Sequence, residues 1–146
     1  MTDGGGVPLA AVLTGGQRQE CTQFDRLMDA VRIPPRRGRP RTRPRAVAGD
    51  KGYSHPHVRR WLRRHGVRAV IPYRKDQRPG DGRHRFDPAA YRRRAGVEQC
   101  VGWLKESRAV GTRFDKLAVN FLAGVHLAMI RRYLRLLTTS GSADRA

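Results

Sequence analysis

Within YRRRAGVEQCVGWLK, residues 91–105, four polar side chains fall in an ordered spacing: the Tyr91 phenol, the Arg94 guanidinium, the Glu98 carboxylate and the Lys105 ammonium. The run contains no proline. At about 100° per residue on a single helix, the four would project within roughly 60° of one another. Val97, Cys100, Val101 and Leu104 would line the neighbouring apolar face. A carboxylate flanked by two cations has two ordinary uses. Arg94 and Glu98, at i, i+4 spacing, can form a surface ion pair of little energetic weight and no chemistry. Alternatively, Glu98 can ligate a divalent cation while Arg94 and Lys105 hold phosphate.

A second acid stands out by context. Asp50 ends the short apolar run RAVAG, residues 45–49, and opens the turn Asp50-Lys51-Gly52-Tyr53. An aspartate there is commonly a turn or cap residue. It can also act as a ligand, because carboxylates from distant segments bind Mg2+ through oxygen, and paired metal ions serve phosphoryl transfer.

These acids belong to a basic chain. Its 146 residues hold 31 Lys plus Arg against 12 Asp plus Glu, a formal charge of +19. That excess implies a polyanionic partner, nucleic acid first, since arginine grips phosphate at two points. A membrane partner is disfavoured. The longest apolar run, LAVNFLAGVHLAMI at residues 117–130, falls short of a spanning helix, includes Asn120 and His126, and is expected to be a buried core helix. The start of the chain has no signal-peptide pattern, and Cys21 and Cys100 show no paired spacing. A reduced, cytoplasmic and nucleoid-associated protein is expected.

The elements that would position the two acids can be followed in order. MTDGGG reads as a hairpin turn, with Val7–Thr14 as its second arm and the first arm missing, so that the chain begins partway through a sheet. Phe24, Leu27, Met28 and Val31 repeat at core spacing on a helix over about 22–32, which Pro34-Pro35 stops. PPRRGRPRTRP, residues 34–44, is an exposed, extended arm that either tracks phosphate or is simply solvated. Strand 45–49, a helix to about His65 closed by Gly66, and strand 67–72 form a parallel crossover. This places Asp50 at the carboxyl end of a central strand, where α/β sheets tend to hold ligands. Residues 73–87 make a polar loop, too polar to pack. Asp87 caps the motif helix at Pro88, a last helix covers about 117–137, and a disordered tail is expected from Thr138. His55, His57 and His65 lack ligand spacing, and Trp61 and Trp103 read as core or interface aromatics.

The four spaced residues fit Y-x-x-R-x-x-x-E-x-x-x-x-x-x-K, and the chain thereby resembles the DDE transposases of bacterial insertion sequences that carry the YREK signature. GDKGYS around Asp50 is similar to that family's second catalytic aspartate motif, and GTRFDKLAVNFLAGVHLAMI resembles its closing segment. The resemblance covers nearly the whole chain. It implies an α/β, RNase H-like mixed sheet flanked by helices, with two divalent ions, Mg2+ or Mn2+, held among three carboxylates. It further implies cleavage and strand transfer at element ends. Asp50 and Glu98 would be the catalytic metal ligands, and Tyr91, Arg94 and Lys105 would bind the DNA backbone. Double-stranded DNA, as element ends and target, is the implied partner, engaged by a homo-oligomer.

The family's first aspartate would precede the hairpin, and Asp3 in DGGG reads as a turn residue instead. Residues 1–137 are therefore expected to be an N-terminally truncated catalytic domain lacking the first strands and first aspartate, inactive alone, whose partner is a separate N-terminal fragment. The rival expectations are a non-catalytic basic nucleic-acid-binding protein and an unstable transposase remnant.

Overall fold

The computed structural model describes residues 1–33, 35, 37–77, 86–112 and 114–143, and of residues 140–143 the backbone alone. The chain separates into two compact units, Thr14–Arg94 and Met1–Leu13 with Ala95–Ala146.

In the Thr14–Arg94 unit, a one-turn 3-10 helix at Glu20–Gln23 leads into helix α1, Phe24–Asp29. The helix is shorter than its apolar spacing suggests, though Cys21, Phe24, Met28 and Val31 are all buried. Within the expected extended arm, the described residues 37–43 are exposed, and Ile33 and Arg41 form an antiparallel bridge, with Ile33 N donating to Arg41 O at 3.0 Å and Arg41 N to Ile33 O at 2.9 Å.

Strand β1, Ala46–Ala48, pairs in parallel with β2, Arg68–Val70, with Ala46 opposite Arg68 and Ala48 opposite Val70. Helix α2, Pro56–Arg64, lies between them in sequence, giving the expected strand-helix-strand order. His55 caps α2, Pro56 fills its first turn where no amide donor is needed, and Gly66 takes φ +65° just past its end. Val58 and Leu62 from α2 are fully buried with Val67, Val70 and Ile71, and Phe24 meets Trp61 edge to face at 5.4 Å. This is an α/β arrangement. Among the described residues its only sheet has two strands, so the broader mixed sheet is not seen there.

The expected single helix over 91–105 is two helices. Helix α3, Pro88–Arg92, starts from the Asp87 cap, whose Oδ1 accepts from Ala90 N at 2.9 Å. Helix α4, Ala95–Lys105, begins three residues after α3 ends. Between them Arg94 N donates to Tyr91 O at 2.9 Å, a tightened turn. Three adjacent arginines at 92–94 repel one another, and Gly96 lowers helix propensity by about 1 kcal/mol relative to alanine. The shared face drawn through all four residues therefore does not exist as one helical stripe.

The other unit opens with a small hairpin. Asp3 Oδ1 accepts from Gly5 N and Val7 N, each at 2.8 Å, which confirms Asp3 as its turn residue. The first arm is not wholly missing, because Thr2 bridges Pro8 and Leu9 N donates to Met1 O at 2.9 Å. Helix α4 is followed by α5, Arg108–Gly111, and by α6, Ala118–Ala143. Helix α6 continues six residues beyond the expected end, so the disordered tail foreseen from Thr138 is helical to Ala143, and residues 144–146 lie outside the described residues.

The apolar run at 117–130 is not the buried core helix expected. Val125, Ala128 and Met129 are buried, whereas Leu117, Val119, Leu127 and Ile130 are exposed. One packed stripe buries only one side of a helix. Among the described residues no helix is long and apolar enough to cross a membrane.

Candidate functional site

Asp50 stands two residues past β1, held by backbone on both sides. Gly49 N donates to Val70 O at 3.3 Å, and Asp50 Oδ1 accepts from Gly52 N at 2.8 Å, capping the 3-10 turn Lys51–Tyr53. The glycines of GDKGY have physical causes. A Cβ on Gly52 would lie 2.9 Å from Asp50 Oδ1, and one on Gly49 would lie 3.3 Å from Tyr53 Cβ. Tyr53 thus closes over the end of the strand. Its burial, with Glu20 and then Asp50 adding negative potential, pushes its pKa up to about 12 and keeps the phenol protonated. The cap role foreseen as the ordinary use of Asp50 is real. It leaves acceptor capacity on an exposed carboxylate, which presents about four lone-pair sites in all.

A polar clamp secures this turn, and the spacing of the sequence gave no sign of it. Ser54, fully buried, donates through Oγ to Gln77 Oε1 at 2.5 Å and accepts from Arg59 Nη2 at 2.8 Å. Arg59 Nη2 also reaches Ile71 O at 3.0 Å, and its guanidinium lies 3.8 Å from the centre of the Tyr73 ring. Burial pulls Arg59 below the usual arginine range. Gln77 Nε2 donates to Ser54 O at 2.6 Å, while Arg74 donates to the Lys51 and Gly52 carbonyls at 3.1 and 3.3 Å. Residues 73–77, expected to be too polar to pack, instead grip the segment that carries Asp50. Residues 78–85 of that expected loop lie outside the described residues.

Tyr91 lies on α3 with its ring 5.3 Å from that of Phe86 and 5.7 Å from the Arg94 guanidinium. Arg94 itself sits in the turn after α3 and belongs to neither helix. Glu98 and Lys105 are exposed on α4, one in its first turn and one in its last. Seven residues apart on a regular helix, they share a face about 10 Å in length. Both also suit the helix dipole, acid near the amino end and base near the carboxyl end, which needs no chemistry. The backbone beneath α4 approaches closely: a Cβ on Gly6, at φ +79°, would stand 3.1 Å from Gly96 O. Burial pushes the Cys100 thiol up.

The structure thus groups Asp50, Tyr91 and Arg94 in one unit and Glu98 with Lys105 in the other. Among the described residues no group of three or more His, Cys, Asp or Glu side chains is gathered for a metal ion. The chemistry of the donors nonetheless suits a hard divalent ion, since Asp50 and Glu98 offer exposed carboxylate oxygens.

Comparison with known proteins gives two findings. Residues 1–132 match the family described as Transposase DDE domain. A Burkholderia cepacia protein, named as a transposase for insertion sequence element IS402, is 38% identical over 122 residues, covering 81% of this chain and 53% of the relative. The chain spans about half the length of that curated relative. No solved structure matches the chain.

Proposed function

The chain belongs to the transposase DDE domain family, and from that premise we propose that it carries part of an RNase H-like site for metal-dependent DNA cleavage and strand transfer at insertion-sequence ends. Asp50 and Glu98 are the proposed ligands for Mg2+ or Mn2+, two ions in the complete site. When bound, such ions neutralise charge developing on the phosphate. Tyr91, Arg94 and Lys105 hold the phosphate backbone, the arginine through two-point hydrogen bonding and the lysine as a point charge. The partners are double-stranded DNA, as element end and target, further copies of the chain on that DNA, and a segment that supplies the remaining aspartate and strands. Without that segment the chain is proposed to be inactive.

The observation that carries this reading is the Asp50 carboxylate, exposed beyond β1 of a parallel strand pair, on a turn clamped by Ser54, Arg59, Arg74 and Gln77. A turn secured that heavily is preorganised, as a ligand must be. A second reading, a basic protein that coats nucleic acid without cutting it, draws on the cap role of Asp50 and the helix-dipole role of Glu98.

Plasmid nicking separates the two. The chain is assayed with Mg2+ or Mn2+, alone and mixed with a fragment supplying the first strands, beside Asp50→Asn and Glu98→Gln. Metal-dependent nicking in the mixture that either substitution abolishes supports the cleavage reading. Intact DNA binding with no nicking in any mixture supports the coating reading.

A further inference from the structure

We infer that Arg37, Arg39, Arg41, Arg43 and Arg45 form a finger that grips duplex phosphate beside Asp50, an inference that rests on the DNA reading above and names the element making the contact. From Ala30 to Gly49 the sequence holds no acid, and from Arg37 to Arg45 arginine occupies every second position. All five arginines are exposed. Among the described residues none of the five pairs with a carboxylate, whereas the exposed Arg68 and Arg135 meet Asp87 and Glu106 at 3.4 and 3.2 Å. Among the described residues, therefore, no carboxylate neutralises the charge on this segment.

The segment is also shaped. The Ile33–Arg41 bridge pins its base, and Gly38, at φ +91°, supplies a left-handed backbone position near the tip. Pro40 and Pro44 fix two further φ angles, so less backbone freedom is lost on binding.

Its chemistry selects among polyanions. Between Arg37 and Arg45 the remaining residues are Gly38, Pro40, Thr42 and Pro44. The finger has no aromatic ring on which single-stranded bases could stack and no large apolar side chain to enter a bilayer. What remains is sequence-independent hydrogen bonding to a dense, regular row of phosphates, which duplex DNA presents.

Position completes the inference. Arg45 O accepts from Arg68 N at 3.0 Å, so the finger runs directly into the β1–β2 pair. Asp50 lies five positions after Arg45, a reach of at most about 18 Å even fully extended. A backbone gripped at Arg43 and Arg45 is therefore held near the segment that carries the Asp50 carboxylate.

The test is fluorescence anisotropy of a labelled DNA duplex across a salt series. The unsubstituted chain is compared with Arg37→Gln/Arg39→Gln/Arg43→Gln, with the same three positions changed to lysine, and with Arg60→Gln/Arg63→Gln/Arg64→Gln, which removes equal charge from exposed positions of α2. Circular dichroism checks that each variant keeps its helix content. Each lost phosphate contact lowers the slope of log K against log salt by about 0.9. The finger variant should lose about 2 to 3 units of slope and bind at least about tenfold more weakly at moderate salt. The lysine variant should retain most of the slope, and the α2 variant should stay near the unsubstituted chain.

Equal losses in the finger and α2 variants, or no loss in the finger variant, would overturn the finger while leaving DNA binding intact. Tighter, finger-dependent binding of duplex RNA would overturn the assignment to DNA. A flat salt response of the unsubstituted chain would instead overturn the DNA reading itself.

Discussion

The two units carry one candidate ligand each and support it in opposite ways. Around Asp50, the Thr14–Arg94 unit buries the large side chains Phe24, Met28, Leu62 and Ile71 along with several valines, and adds a clamp of directed hydrogen bonds. Around Glu98, the other unit buries mostly smaller ones, Ala10, Cys100, Val125 and Ala128 with Met129, and leaves Leu127 and Leu134 67% and 58% exposed. Its close contacts are backbone to backbone at Gly6 and Gly96, or long side chains laid over one another, as where the Arg132 guanidinium lies 3.5 Å from the centre of the Trp103 ring. Asp50 thus sits on a fixed mount. Glu98 sits on a helix held by fewer buried atoms.

Each unit contains one tryptophan, Trp61 or Trp103, so the contrast can be followed site by site in single-tryptophan variants. In urea, Trp61 should report the later transition, and coincident transitions would mean that the two units unfold as one cooperative body.

The largest substitution effect is expected at Leu62→Ala, which empties a fully buried position and should cost about 2–5 kcal/mol, read from the Trp61 transition. Ser54→Ala comes next. It leaves Arg59 and Gln77 short of a buried partner and should cost about 1–3 kcal/mol in the same measurement. Gly6→Ala should lower the Trp103 transition by about 1–2 kcal/mol, through its left-handed φ and the nearby Gly96 carbonyl.

The Asp87 cap gives a pH signature. Its bond from Ala90 N holds the carboxyl below its ordinary range. A depressed folded pKa means the contribution is complete above the ordinary carboxylate pKa and is lost as pH falls through the lowered value. Asp87→Asn should therefore flatten the acid limb of the Trp61 stability profile and leave the neutral region nearly parallel. Smallest of all, Leu134→Ser should change the Trp103 transition by no more than about 0.5 kcal/mol, because that side chain is already in water.

What could be read from the sequence follows locality. Helix α2 was legible because its signals, the apolar spacing and the closing Gly66, lie within the helix and its flank. The Asp3 turn and the Asp87 cap were legible for the same reason. The clamp was not, because Ser54 meets Gln77 across 23 positions and polarity in residues 73–77 looked like solvation. The break at Arg93–Arg94 was hidden because the 3.6-residue period runs unbroken through it, and only the arginine triplet and Gly96 hinted at a weak point. On α6 the apolar run was visible but not which side would be covered, since that depends on what packs against it. For the candidate site, residue types and spacing marked Asp50 and Glu98, whereas the division of the motif between two units was not encoded in any local pattern.

The central proposal, that Asp50 and Glu98 are ligands for divalent metal ions, has a direct readout independent of turnover. Fe2+ bound in place of Mg2+, with ascorbate and peroxide, cleaves the polypeptide beside its ligands. The chain is probed in the presence of duplex DNA and, separately, of the strand-supplying fragment. Cuts beside both Asp50 and Glu98, suppressed by excess Mg2+, with those beside Glu98 lost in Glu98→Gln and those beside Asp50 lost in Asp50→Asn, are the expected result. Cuts at neither residue, or cuts that excess Mg2+ and both substitutions leave unchanged, would contradict it.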